Sequence, residues 1–382
     1  MRRAKALHMA TFVKAAVPVD ARTLARRYYT SSEIFALERE RIFAQHWICV
    51  GREEQLSDAG SYFLAEVAAE SLIVVRDASG EIHAHYNVCR HRGTRMCEEQ
   101  SGRFKGAIVC PYHAWTYGLD GHLRTARNMR EVPDFQESDY PLRGAAVALW
   151  EGFIFVNLAE QPEPFGRALA PLMGHFRKWT IGALREARGM NYDLSCNWKL
   201  VFQNYSECYH CPLVHPQLER VSPSDSGRND LIEGPVLGGF MELRQPGGSM
   251  TMSGKTSRKR LPSIHRDDHD RVYYYTVFPS MLLSLHPDYV MAHFVTPVGV
   301  DRTLIRCVWL FDPAEVAREG FDHGDAVEFW DMTNRQDWHV CELSHRGVAS
   351  RAYTPGPYAQ AEGILHAFDR HYLQIMSTTD AG

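Results

Sequence analysis

The 382-residue chain reads as an α+β protein, a small all-β module followed by a domain in which helices pack on an antiparallel sheet. Three observations predict this. From Trp47 to about Leu158, short β-type runs alternate with glycine turns. Beyond the proline-containing stretch Glu160-Gln-Pro-Glu-Pro164 the texture mixes helical periodicity with strands. The 45% hydrophobic content suffices for two to three cores in a chain of this length.

The elements follow in order. The first twenty residues are basic and acid-poor up to Asp20, and Lys14 interrupts their apolar part. A secretory signal fits that pattern badly, so a loose arm is expected. Thr30-Ser-Ser-Glu33 reads as a capping box. Ile34, Phe35, Leu37, Ile42 and Phe43 follow at helical spacing, predicting a helix from about Ser31 to Gln45. Leu72–Val75, the turn Asp77-Ala-Ser-Gly80 and Glu81–Val88 predict a hairpin. Ala145–Trp150 and Phe153–Val156 predict two further strands. Helices are expected around Phe165–Trp179, Trp198–Cys211, Asp325–Arg346 and Ala359–Met376. Strands are expected around Val272–Val277, Met281–Leu285 and Arg302–Phe311. The domains predicted are 1–46 (an arm and a helix packing on the larger domain), 47–160 and 161–382.

Composition narrows the function. A formal net charge of -4 argues against a nucleic-acid partner. No run of roughly 18 apolar residues occurs, which argues against a membrane span. The nine cysteines are an odd number and form no disulfide framework, so reduced thiols in a cytoplasmic protein are expected. Lys255 and Arg258-Lys-Arg260 make a basic stretch expected to be a solvated loop.

Cys89-Arg-His91 is followed by eighteen residues and then Cys110-Pro-Tyr-His113. Two Cys-His pairs on loops between strands can enclose a metal. In a Rieske centre two thiolates hold one iron and two imidazoles the other, which raises the reduction potential. The competing reading is zinc, since Cys₂His₂ is also zinc chemistry, but the β context and the mixed pairs disfavour it. Cys97 matches neither pair and reads as a packed thiol.

A second constellation runs from Asn197 to Pro216. Asn197 suits an N-cap. Glu207 and His210 are three apart and are expected on one helix face. His215 lies five beyond His210, and Pro212 should kink or end the helix, letting both imidazoles converge on one ion. Two histidines with one carboxylate form a facial triad that leaves positions open for dioxygen and substrate. Asp331, Asp337 and Glu342 are the carboxylates available on the late helix, and spacing alone selects none of them. The competing readings of the pair are satisfied core histidines or a zinc site.

The runs CRHRG…CPYHAWTYGLDG and ECYHCPLVHP, in this order, resemble the α subunits of Rieske non-haem iron oxygenases, the ring-hydroxylating oxygenase family. That resemblance covers nearly the whole chain. It implies an all-β Rieske [2Fe–2S] domain and a helix-grip, START-like catalytic domain. It implies Cys89, His91, Cys110 and His113 as cluster ligands, and His210, His215 and Asp337 as ligands of a mononuclear Fe(II). It also implies Glu207 as a bridge to His113 of a neighbouring subunit in a homotrimer. A flavin or iron–sulfur reductase would deliver electrons from NAD(P)H, with O₂ as co-substrate.

ECYHCPLVHP, SLHPDYV and DWHVCE are similar to the glycine betaine, choline and carnitine monooxygenases and stachydrine demethylase. The function so implied is hydroxylation of a C–H bond, as a monooxygenase or N-demethylase of a quaternary ammonium compound. Phe202, Tyr205, Tyr209, Tyr289 and Phe294 are candidates for an aromatic cage around the cation, although aromatics in a large domain are usually core. Hydroxylation of an aromatic or other apolar molecule is the alternative. A pure Rieske electron carrier would not need the second motif.

Overall fold

The computed structural model describes residues 12–377 and separates into two compact units. One comprises residues 35–168 with 181–183. The other comprises, of the described residues, 12–34, 169–180 and 184–377. The arm expected over the first twenty residues lies partly outside the described residues. From Phe12 onward it is not loose: Val13 exchanges backbone hydrogen bonds of 2.7 Å with Asn229, and Ala15 and Val17 are buried.

A four-residue helix, Arg27–Thr30, precedes the expected one, which runs over Ser32–Glu38 and continues as a wider-pitched turn over Arg39–Phe43. Its cap is Ser31, whose Oγ accepts from the N–H of Ile34, rather than Thr30.

Beyond the helical residues 35–43, the 35–168 unit is built on β-strands joined by loops and short helical turns. Strands Ile48–Arg52, Phe153–Asn157, Gly144–Trp150, Ile82–Tyr86, Glu70–Arg76, Ser61–Val67 and Ser101–Arg103 lie side by side in that order, each neighbour antiparallel. Buried β-branched and aromatic side chains such as Ile73, Val75, Phe153 and Phe155 explain the pleated packing. A separate three-stranded sheet, Ile108–Val109, Thr116–Tyr117 and Leu123–Thr125, carries the second Cys-His pair on its first turn.

The other unit is built on a seven-stranded antiparallel sheet. Its strands from Arg228–Leu231 to Arg302–Phe311 follow one another as a meander, and Arg185–Leu194 closes the far edge against Arg302–Phe311. Helices Trp198–Tyr205, Gly324–Val348 and Gly363–Ser377 pack together. Trp198 is their hub, with Phe202, Phe278, Phe368 and Tyr372 around it at centroid distances of 5.7–6.1 Å.

The helix expected over 165–179 breaks into short turns, first at Leu169 (φ -117°, ψ 39°), just before Pro171, and again at Gly174, which adopts φ +80°. Arg258 is no solvated loop residue. Its side chain is 1% exposed and ion-paired to Asp288 at 3.1 Å and to Asp325. No helix among the described residues is long and apolar enough to cross a membrane.

Candidate metal centres

The helix that opens with Asn197 as its cap ends at Tyr205, well before Pro212. Ser206 stops it, its Oγ donating to the carbonyl of Phe202 at 2.6 Å. Glu207 and His210 therefore do not share a helix face, contrary to the sequence expectation. They meet across a tight turn, in which the Glu207 carboxylate accepts the N–H groups of Tyr209 and His210 and the Nδ1–H of His210 at 2.5 Å. A short helix, Cys211–Val214, then restarts with Pro212 near its beginning, where a missing N–H costs nothing. It delivers His215. Cys208 and Cys211 are disulfide-bonded across the turn, their Cα atoms 4.9 Å apart. This corrects the expectation of reduced thiols for two of the nine cysteines.

On the long helix, Asp337 faces this turn. His210 Nε2 stands 3.2 Å from His215 Nε2 and 3.2 Å from Asp337 Oδ1, and His215 Nε2 stands 2.8 Å from the same oxygen. Ligand atoms about 2.1 Å from one ion and at right angles to each other are about 3 Å apart. The three spacings thus fit one face of an octahedron, the arrangement that leaves the opposite face open. Asp331 and Glu342 are occupied elsewhere: Asp331 accepts from Tyr192 and Arg335, and Glu342 from the N–H of Ser195.

Burial opposes a charge on His210, but hydrogen bonds with Asp337 and Glu207 outweigh it and lift its pKa to about 10. Burial likewise disfavours ionised Asp337, yet the two histidines hold it down to about 2. The set demands positive charge at its centre. A divalent cation meets that demand using all three lone pairs.

Gln336 is the residue that sequence reasoning missed. Its Oε1 accepts from His215 Nδ1–H at 2.8 Å, leaving Nε2 free to bind a metal. Its position beside Asp337 was the available signal.

The three donors open onto a cavity of about 610 Å³. Trp330, Thr333 and Asp337, at i, i+3 and i+7 of the long helix, line it together over roughly 10 Å. Tyr205 and Tyr209 also line it. Phe202, Tyr289 and Phe294 do not, because all three are packed in the interior. Phe202 stacks on Phe368 at 5.3 Å, and Tyr289 bonds the Met250 carbonyl and the Trp330 indole. Their expected places are taken by Tyr274, Trp330 and Phe240.

In the 35–168 unit, the loop after Ile82–Tyr86 carries Cys89 and His91, and the turn between Ile108–Val109 and Thr116–Tyr117 carries Cys110 and His113. Asn87 pins the first loop, donating to the Cys97 carbonyl and accepting from the N–H groups of Met96 and Cys97. The two thiols are buried. Tyr117 reaches Cys89 Sγ at 3.4 Å and accepts the N–H of Arg90. The imidazoles of His91 and His113 are 4.7 Å apart, and Trp115 stacks on His91. His91 Nδ1 is buried and has no hydrogen-bond partner among the described residues. An orphaned imidazole nitrogen beside a second histidine and two buried thiols fits a Cys₂His₂ iron–sulfur centre. Burial, and then His113, lower the pKa of His91 and keep its lone pair available.

Comparison with known proteins agrees in both units. Residues 46–136 match the Rieske [2Fe-2S] domain, and residues 181–378 match the ring hydroxylating alpha subunit (catalytic domain). The glycine betaine monooxygenase oxygenase subunit of Chromohalobacter salexigens is 31% identical over 94% of this chain and 87% of its own length. The carnitine monooxygenase oxygenase subunit of Acinetobacter baumannii is 30% identical over 88% of each chain. A solved quaternary ammonium Rieske monooxygenase, described for carnitine oxidation by gut microbiota and inter-subunit electron transfer, matches with TM-score 0.81 and 25% identity. It covers 94% of this chain and 99% of that one.

Proposed function

The chain belongs to the ring-hydroxylating oxygenase α-subunit family and carries a Rieske [2Fe–2S] domain, and on that premise we propose that it hydroxylates an N-methyl group of a quaternary ammonium compound. Glycine betaine and carnitine are the compounds its relatives are named for. One observation carries the reading. The three-donor face formed by His210, His215 and Asp337 opens onto a cavity lined by Tyr205, Tyr209, Phe240, Tyr274 and Trp330, with Glu207 and Asp225 also in its lining. A cation is attracted both to aromatic faces and to acidic groups.

Cys89, His91, Cys110 and His113 would hold the cluster, and His210, His215 and Asp337 the mononuclear iron. When bound, the two centres supply electron storage and dioxygen reduction. The protein's own groups do the rest. Glu207 and Gln336 accept the Nδ1–H protons of His210 and His215, so both imidazoles present Nε2 inward. The aromatic wall orients the ammonium group and excludes water from the reacting methyl. The hydroxylated N-methyl carbon then leaves as formaldehyde: its C–N bond breaks, the electron pair stays on nitrogen as a tertiary amine, and the hydroxyl proton goes to water.

Glu207 is suited to couple an iron centre to the cluster of another subunit. It touches His210 directly, and its neighbours Tyr209 and Leu213 are 67% and 89% exposed. Beside His113, Tyr112 is 56% exposed. Two such patches meeting head to tail between copies would close a ring, as in the proposed homotrimer. A partner reductase is implied by the oxygenase-subunit relatives. A flavin or iron–sulfur protein drawing on NAD(P)H in the cytoplasm completes the reading.

The test is oxygen uptake by the iron-loaded protein with a surrogate reductase, screened against methylammonium and aromatic compounds. Substrate-dependent uptake with stoichiometric formaldehyde is expected from the methylammonium set. A hydroxylated ring without formaldehyde would replace that substrate assignment with the aromatic one.

A further inference from the structure

The cavity has one basic side chain that the proposed chemistry does not use. Glu207, Asp225 and Asp337 give its lining acidic character, and Lys14 is the one Lys or Arg among the described residues that line it. Lys14 has no ion pair or hydrogen bond among those residues.

The segment bearing Lys14 is fixed at the cavity. Val13 is bridged to Asn229, itself a lining residue. Phe12 meets Phe240, another lining residue, edge to face at 4.7 Å. On its other side, Ala15 lies so close to Gly363 that a side-chain carbon there would collide with the Ala15 carbonyl. Lys14 is therefore delivered to the rim by neighbours on both sides. The metal donors come from the 207–215 turn and the long helix, so Lys14 belongs to a different wall.

We propose that Lys14 is a specificity-determining residue, pairing with an anionic group at the end of the substrate remote from the reacting carbon. The inference rests on the reading of this cavity as the substrate site, and it narrows the substrate class to zwitterions. An ammonium group finds the aromatic wall and the acidic lining. A carboxylate attached to it would be repelled by those acids unless a cation answers it. A flexible four-carbon stem carrying a point charge suits that task at a rim open to water. Choline, which ends in a hydroxyl, gains nothing from Lys14, whereas a betaine does.

The experiment compares full-length, iron-loaded wild type with Lys14→Met, Lys14→Arg and Asp225→Asn on matched pairs that differ in the remote group. The pairs are glycine betaine against choline, and benzoate against benzyl alcohol. In Lys14→Met the ratio of kcat/KM for acid over alcohol should fall roughly tenfold or more, through KM. Lys14→Arg should restore most of it. In wild type, added salt should lower the same ratio. Asp225→Asn should not lower it, which distinguishes a substrate contact from an internal Lys14–Asp225 pair. Turnover of the aromatic pair alone would refute the methylammonium reading while the Lys14 ratio is still read on benzoate. The proposal is overturned if Lys14→Met leaves the ratio within about twofold in the pair turned over. It is also overturned if wild type favours the alcohol, or neither binds nor turns over either acid.

Discussion

His215 is held from behind as well as in front. The Gln336 amide oxygen fixes one ring nitrogen as the donor, so the other points its lone pair at His210 and Asp337. Such outer partners set tautomer and ring orientation, and removing one typically weakens metal binding by about 10–100-fold. Gln336→Leu should lose mononuclear iron by that order on dialysis against a chelator, while the absorbance of the cluster stays unchanged. Gln336→Glu, which keeps an acceptor at the same reach, should retain the iron. Equal iron retention in Leu and wild-type proteins would show that packing alone orients His215. Glu207 does the same for His210 and has a second task, because its other oxygen also ties down the turn.

At the level of elements, the sequence makes some boundaries legible and hides others for physical reasons. Arg302–Phe311 opens with an alternation of buried and less buried residues before its apolar end, and Met281–Leu285 is a five-residue apolar run, too short for a helix and read as a strand by length rather than by periodicity. The turn over residues 206–210 was hidden, since helix-forming residues continue to Cys211 and only two side-chain contacts, Ser206 to Phe202 and Glu207 to its own turn, end the helix. That His91 would meet His113, and His210 would meet His215, was legible because each pair sits at a spacing suited to holding a metal. Gln336 was marked only by its place beside Asp337, and the wall formed by Phe240, Tyr274 and Trp330 was not legible, because nothing local marks which aromatic faces the cavity and which the core. The last helix, Gly363–Ser377, shows what such packing demands. Its Asp369 is buried between Gln203 and Tyr358, and burial pushes its pKa up to about 7 despite those hydrogen bonds and nearby Lys199. A carboxyl raised on folding from an ordinary 3.8 contributes stability that is full below that value and lost as pH rises through about 7. Wild type should therefore lose thermal stability between pH 5 and pH 8, and Asp369→Asn should reduce that loss. Parallel Tm–pH curves for the two proteins, measured by calorimetry, would count against a neutral Asp369.

For the whole molecule the question is which cluster serves which iron. Each unit gathers its own set of candidate metal ligands, and Glu207, which touches His210, lies among exposed side chains rather than in a sealed core. A head-to-tail assembly makes the direction of coupling testable without a structure of the complex. Cys89→Ser should remove the cluster and leave the iron, and Asp337→Ala should do the reverse, so each protein alone should be inactive. Co-expressed in one oligomer, a cluster from the Asp337→Ala chain can face an iron from the Cys89→Ser chain at about a quarter of randomly formed interfaces. Activity should return to that extent. Glu207→Gln placed in the iron-bearing Cys89→Ser chain should abolish the recovered activity, while the same change in the Asp337→Ala chain should leave it intact. No recovery in mixtures shown by mass spectrometry to be mixed oligomers would mean that electrons travel within one chain, and Glu207 would then be left with His210 and its turn alone.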